Sequence, residues 1–205
     1  MEAYHFLRED MTGGYGNEPP WKVGKRREVK GELSLCRWGY HYGFTPANAL
    51  DYAFGPILCL VEVQRKGPKD GTKGCSRSRK LLKAVNVERI LHEAACDIAE
   101  DVLPIFEKEF PGDKRPRLAI EAKRKWLKGE ITDTELAAAR DAAWDAARAA
   151  ARAAARDAAW DAAWAAAKAA AKAAARDAAW AKYQGWINER LIKALEKGKP
   201  VREET

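Results

Sequence analysis

The spacing of apolar side chains changes near Asn86. Before it, apolar residues come in short runs and alternations of strand type; after it, they recur at helical spacing. Residues 3–8 (Ala-Tyr-His-Phe-Leu-Arg) predict a first strand, and a Gly/Pro-rich loop follows from Thr12 to Pro20. Val29, Leu33 and Leu35 around Gly31 predict a short strand pair ending at Cys36. Thr45-Pro46 is an N-cap with proline at the first helical position, opening a short helix over Ala47–Ala53 that Gly55-Pro56 stops. Ile57–Val63 is apolar enough for a central strand, Gly67–Ser78 reads as a mobile basic loop, and Lys80–Val87 as the returning strand.

Beyond Asn86, residues Ile90, Leu91, Ala94, Ala95, Ile98, Val102 and Leu103 mark a helix with Pro104 near its far end. Leu118–Lys128 is a second helix, closed by Gly129 as a left-handed cap. Thr132-Asp-Thr-Glu135 is a capping box for a third. From Arg140 to Trp180 a large residue then falls on every fourth position, with alanine filling most of the rest. A four-residue period drifts about 40° per step around an α-helix. On an unbroken helix Trp144 and Trp180 therefore share one side, and Trp160 and Trp164 point the opposite way. A single helix over 133–184 would be about 75 Å long. A compact chain of this length has a diameter of about 40–45 Å. The drift predicts a break near 155–158, with Asp157 capping the second helix, although alanine's own preference opposes it. Gly185 marks a kink, and Trp186–Lys197 a final helix. The fold class is α+β: a small mixed α/β N-terminal domain over residues 1–87, then an all-α Ala/Trp-rich helical bundle over 88–205.

Charge sharpens this division. The formal net charge is +7. Residues 64–89 carry nine basic and two acidic side chains, so their excess equals that of the whole chain. The alanine-rich helices are nearly balanced, because aspartates interleave with the cations at helical spacing. Cys36, Cys59, Cys75 and Cys96 are widely spaced, with no C-x-x-C pair, which argues against zinc. The apolar settings of Cys36, Cys59 and Cys96 read as buried, reduced thiols of a cytoplasmic protein. No signal peptide opens the chain, and the alanine tract is too often interrupted by charge to span a membrane.

Two stretches carry candidate chemistry. The basic segment (Arg65, Lys66, Lys69, Lys73, Arg77, Arg79, Lys80, Lys83), with Ser76 and Ser78, offers cations and hydroxyls to phosphate oxygens. Its plainer reading is a solvated hairpin loop. Lys22, Lys25, Arg26 and Arg27 form a second cluster that makes a pocket if the two converge. Arg37-Trp38-Gly39-Tyr40-His41-Tyr42 combines stacking surface with charge, as a nucleobase bearing phosphates requires. Its plainer reading is a buried aromatic strand with a glycine bulge. The candidate ligand-binding residues are Arg37, Trp38, Tyr40, His41, Lys73, Arg77, Arg79 and Lys80. The tryptophan–alanine lattice reads as structural, with close helix approach and indoles hidden between helices or subunits. No nucleophile elbow, P-loop or dinucleotide fingerprint is present, so no catalytic set, metal or cofactor is assigned.

Two resemblances add to this. Leu35-Cys36, Gly39-Tyr40-His41, Ala49-Leu50-Asp51-Tyr52 and Leu60-Val61-Glu62-Val63 resemble a domain of unknown function found in phage and bacterial proteins. Ala95-Cys96, Ala99-Glu100, Val102-Leu103-Pro104-Ile105-Phe106-Glu107, Pro111-Gly-Asp113, Arg115-Pro116-Arg117 and Ala119-Ile120-Glu121 resemble the start of the Imm-5-like immunity proteins, which are all-helical. Gly129-Glu130-Ile131 and the alanine-rich tract continue that likeness, which implies a break in the tract, while Ile98 stands where the family often has a second cysteine. The expected function is a non-enzymatic phage- or mobile-element-type protein that sequesters an anionic, nucleotide-like immune signal in the host cytoplasm. The alternatives are an immunity protein that neutralises a partner protein through its helical face, and an ADP-ribosyltransferase-like enzyme using His5, Tyr40 and Glu62. An alanine-rich face also predicts a homo-oligomer.

Overall fold

Alternating strand positions, half of them buried, build a sheet that closes on itself. The computed structural model describes residues 1–14, 18–160 and 162–201, with side chains throughout except at 151 and 153–178. Its strands are β1 (Glu2–Leu7), β2 (Arg26–Glu28), β3 (Tyr40–Gly43), β4 (Ile57–Lys69) and β5 (Lys73–Asn86), with the short helix α1 (Pro46–Leu50) between β3 and β4. All pairings are antiparallel. β5 is long enough to serve two partners: Lys73–Ser76 pair with β3 and Ser78–Lys80 with β2. β3 meets β1 at Tyr4 and Gly43, β1 pairs with β4 over its whole length, and β4 returns to β5. The ring β5–β3–β1–β4–β5 is closed, and the register shifts in β4–β5 supply the bends that closure needs. Gly43 is required there: a Cβ would meet the α carbon of Ala49 in α1 at 2.8 Å. Inside lie Ala3, Leu7, Trp21, Tyr40, Tyr42, Ile57, Cys59, Val61, Val63, Leu81 and Ala84.

The chain divides into two compact units, residues 1–90 with 184–205, and residues 91–183. The C-terminal residues therefore belong with the sheet. Leu191, Ala194 and Leu195 are buried, and Ala47 N–H donates to Asn188 Oδ1 at 2.7 Å. Lys83 Nζ donates to the Glu196 carbonyl at 3.2 Å, and Val201 N–H to that of Ala84 at 3.0 Å.

The second unit lies on α2 (Glu88–Glu109), α3 (Arg115–Leu127), α4 (Asp133–Trp160) and α5 (Ala162–Lys197). The capping box forms as expected: Thr132 N–H donates to Glu135 Oε2 at 2.8 Å and Glu135 N–H to Thr132 Oγ1 at 3.3 Å. Gly129 takes the left-handed conformation with φ +74. Arg124 binds Asp97 and Glu100 at 2.6 and 2.7 Å, and Arg117 binds Glu107 at 2.6 Å, so α2 and α3 are joined by ion pairs. Lys182 Nζ and Tyr183 Oη donate to Asp101 at 2.7 and 2.6 Å.

Several expectations are corrected. β4 runs on to Lys69 and β5 starts at Lys73, so the basic segment is a strand hairpin rather than a mobile loop. Its turn is tied by Asp70 Oδ1, which accepts from the N–H groups of Thr72 and Lys73 at 2.8 and 2.9 Å. Strand pairing over 29–36 is replaced by β2 and β3 on either side, with a single bridge between Ser34 and Trp38. α2 continues past Pro104 to Glu109. α4 passes unbroken through 155–158 to Trp160, because alanine's helix preference outweighs Asp157. Asp161 lies outside the described residues, as do the side chains of Trp160 and Trp164. α5 continues through Gly185. Cys36 is exposed at the tip of the 34–38 turn, with φ 65, whereas Cys59, Cys75 and Cys96 are buried. Trp144 and Trp180 are more than half exposed, so these two indoles are not hidden within the chain.

Candidate ligand-binding site

A cavity of about 1070 Å³ opens in the strand-containing unit, at the upper end of the usual range for small-molecule sites. β3 contributes Tyr40, His41, Tyr42 and Gly43, β1 contributes His5, and β5 contributes Lys73 and Arg79. The 34–38 turn sets Arg37 and Trp38 at its edge. Ser34 and Trp38 exchange backbone hydrogen bonds at 2.9 and 2.8 Å, and Trp38 Nε1 donates to the Lys30 carbonyl at 2.7 Å. Gly39 leaves that turn with φ +122, and a Cβ there would meet Leu33 Cδ2 at 2.9 Å. Past α1, Asp51, Tyr52 and Phe54 complete the lining together with Gly14 and Glu18.

Arg79 dominates the electrostatics. It is 4% exposed, yet no carboxylate among the described residues lies within ion-pair distance of it. Its Nη1 donates to the His41 carbonyl at 3.1 Å, and its guanidinium lies 4.4 Å from the Trp21 ring centroid and 4.8 Å from that of Tyr40. Burial pushes its pKa down to about 10, against the longer-range pull of groups such as Glu18. Glu18 is itself engaged, accepting from Trp21 Nε1 at 3.2 Å. Arg27 also lies 4.4 Å from Trp21 and donates to the Pro19 and Pro20 carbonyls at 2.8 and 2.6 Å. The two basic clusters thus converge, through β2–β5 pairing of Arg27 with Arg79.

Both histidines are held neutral. His5 is half-buried on β1, and burial, then Arg79, then His41 hold its pKa well below 6.5. Burial lowers His41 as well, and its Nε2 accepts from Cys36 N–H at 2.7 Å, which requires that nitrogen unprotonated. The unfolded chain then takes up protons first as pH falls. Stability contributed by these groups is full above about pH 6.5 and is lost as pH drops toward their folded pKa values. Melting temperature is expected to fall between pH 7 and 5, above the range where the depressed carboxylates titrate. His5→Gln should flatten that slope, and an unchanged slope would show that His5 is not its source.

Two stretches of the chain now find counterparts. Residues 86–184 match the Imm-5 like putative immunity protein family. Residues 1–93 match a domain of unknown function, DUF7666. No curated protein and no solved structure matches the chain. All the cavity residues fall within the DUF7666 stretch, and the Imm-5 like stretch spans most of α2 through α5.

Of the sequence candidates, Arg37, Trp38, Tyr40, His41, Lys73 and Arg79 come together at the cavity. Arg77 and Lys80 do not line it. Arg77 Nη1 donates to the Val29 carbonyl at 3.3 Å, and Lys80 sits between Arg26 and Glu62 in the strand ladder. Glu62 also lies outside, bound to Arg26 at 2.8 Å and accepting from Gln64 at 2.7 Å. The His5–Tyr40–Glu62 arrangement of a transferase is therefore not formed around this cavity. Sequence reasoning missed Glu18, Asp51, Tyr52 and Phe54. A signal existed for the last two: paired aromatics just past a short Pro-started helix, 46% and 44% exposed here. Among the described residues there is no cluster of three metal-ligating side chains, and no helix is long and apolar enough to cross a membrane.

Proposed function

We propose that the protein is a non-enzymatic binder that sequesters an anionic, nucleotide-like small molecule in this cavity, and so acts as an anti-defence protein of a phage or mobile element in its host's cytoplasm. The observation that carries this reading is Arg79: a buried guanidinium lining a cavity without an ion-pair partner among the described residues. A buried charge costs several kcal/mol to desolvate, roughly, unless it is paired. An anionic ligand supplies the missing partner, and Arg37 and Lys73 add to the field. Exposed Trp38 and Tyr52 offer rings on which a base can stack. Ligand capture falls to residues 1–87, which hold every cavity residue. Calorimetry and thermal shift at low salt, against cyclic nucleotides, NAD derivatives and oligonucleotides, test the proposal. At least one mononucleotide-sized anion should raise the melting point by several degrees and lose its effect in high salt. No binding across the panel would end the reading.

A second reading is favoured by the Imm-5 like match over 86–184 and by the exposure of Trp144 and Trp180. Here the helical part neutralises a partner protein, or pairs with a second copy, through a face that covers those indoles. Trp144→Ser with Trp180→Ser should then dissociate the assembly, and an unchanged assembly would remove this interface.

A further inference from the structure

The cavity has two chemically different parts. Arg79 is its buried cationic part, whereas Trp38, Tyr52 and Phe54 are exposed aromatic side chains, 51%, 46% and 44% accessible. Lys73 connects the two. Its ammonium lies 3.8 Å from the centroid of the Tyr52 ring, and its nearest carboxylate, on Asp70, is 4.0 Å away. Lys73 and Arg79 both line the cavity, and both act, after burial, against protonation of His41 in the same lining.

The free protein thus covers the face of Tyr52 with its own cation. A flat ring that stacks on Tyr52 must displace that ammonium and forfeit the cation–π contact. A neutral ring gives nothing back. A ring that carries a phosphate gives the displaced ammonium an anionic partner and pairs Arg79 as well. Inorganic phosphate alone pairs the cations but gains no stacking on Trp38 or Tyr52. Glu18 and Asp51 in the lining are hydrogen-bond acceptors, the kind of group that the hydroxyl and amino groups of such a ligand require.

We infer that the ligand is a nucleoside phosphate, its phosphate against Arg79 and Lys73 and its base on the mouth formed by Trp38 and Tyr52. This rests on the reading of the cavity as an anion site and adds the polarity of the ligand within it.

Calorimetry with inorganic pyrophosphate, the four ribonucleosides, and their mono- and diphosphates tests it. At least one nucleoside phosphate should bind tenfold or more tighter than pyrophosphate and than its own nucleoside, since a stacked base is worth roughly five- to a hundredfold. Trp38→Ala should bring nucleotide affinity toward that of pyrophosphate, and Tyr52→Ala should narrow the same gap while pyrophosphate itself binds tighter, because Lys73 is released from the ring. Lys73→Met should weaken every phosphate-bearing probe and strengthen the bare nucleoside, because the Tyr52 face is freed. A merely structural Lys73 produces no such opposite change. If pyrophosphate binds and nucleotides bind no tighter, the inference is overturned and the anion site stands. If neither binds, the anion site fails and the inference fails with it.

Discussion

Replacing Arg79 with methionine should abolish ligand binding and leave the free protein at least as stable. The two effects have different sources. In the free protein Arg79 gains one charged hydrogen bond, to the His41 carbonyl, and contacts with the Trp21 and Tyr40 rings. Those contribute roughly 1.5–3 kcal/mol and about 2 kcal/mol. The desolvation of the buried ion opposes them with several kcal/mol, roughly the same sum. Methionine fills similar space without the charge, so melting should stay level or rise. With ligand bound, the lost partner of a buried charge pair costs about 2–5 kcal/mol, roughly thirty- to several-thousandfold in affinity. A variant that binds normally, or one that loses more than about 3 kcal/mol of stability while free, would assign Arg79 to structure instead.

Leu191→Ala should lower the stability of the strand-containing unit by about 2–5 kcal/mol. Leu191 is almost fully buried although it lies on α5, far along the chain from the strands. Its neighbours Ala194 and Leu195 are buried too, and Asn188 supplies the acceptor for Ala47 N–H in α1. The ring that frames the cavity therefore depends on the C-terminal turns of α5. The melting point should fall by about ten degrees or more. Leu191→Met, which keeps the volume, should cost less than about 1.5 kcal/mol. A Leu191→Ala protein within about 1 kcal/mol of wild type would show that this packing is dispensable.

The α+β character was legible because the apolar period changes at Asn86, and the caps at Thr45, Gly129 and Thr132 marked elements that the structure contains. The hairpin was misread because Gly67, Pro68, Gly71 and many cations have loop composition. In a strand those cations alternate with Ser76 and Ser78, which are buried along with Arg79. Local pattern carries no information about which helix packs on the sheet, so the return of residues 184–201 could not be read. Density of aromatics and cations found Arg37, Trp38, Tyr40 and His41. Nothing local brings His5, Glu18 and Tyr52 to the same place, because they are far apart in sequence and meet only in the folded unit. At Asp157 alanine's helix preference outweighs the capping tendency of a single aspartate.

Native mass spectrometry of the protein purified at low salt from phage-infected or defence-active cells tests the central claim most directly. It reports subunit number and any retained small molecule together. The account predicts a retained anionic ligand of nucleotide size, present in wild type and missing from Arg79→Met prepared in parallel. A ligand retained equally by both proteins, or wild type that emerges empty and stays empty when offered nucleotides, would contradict it.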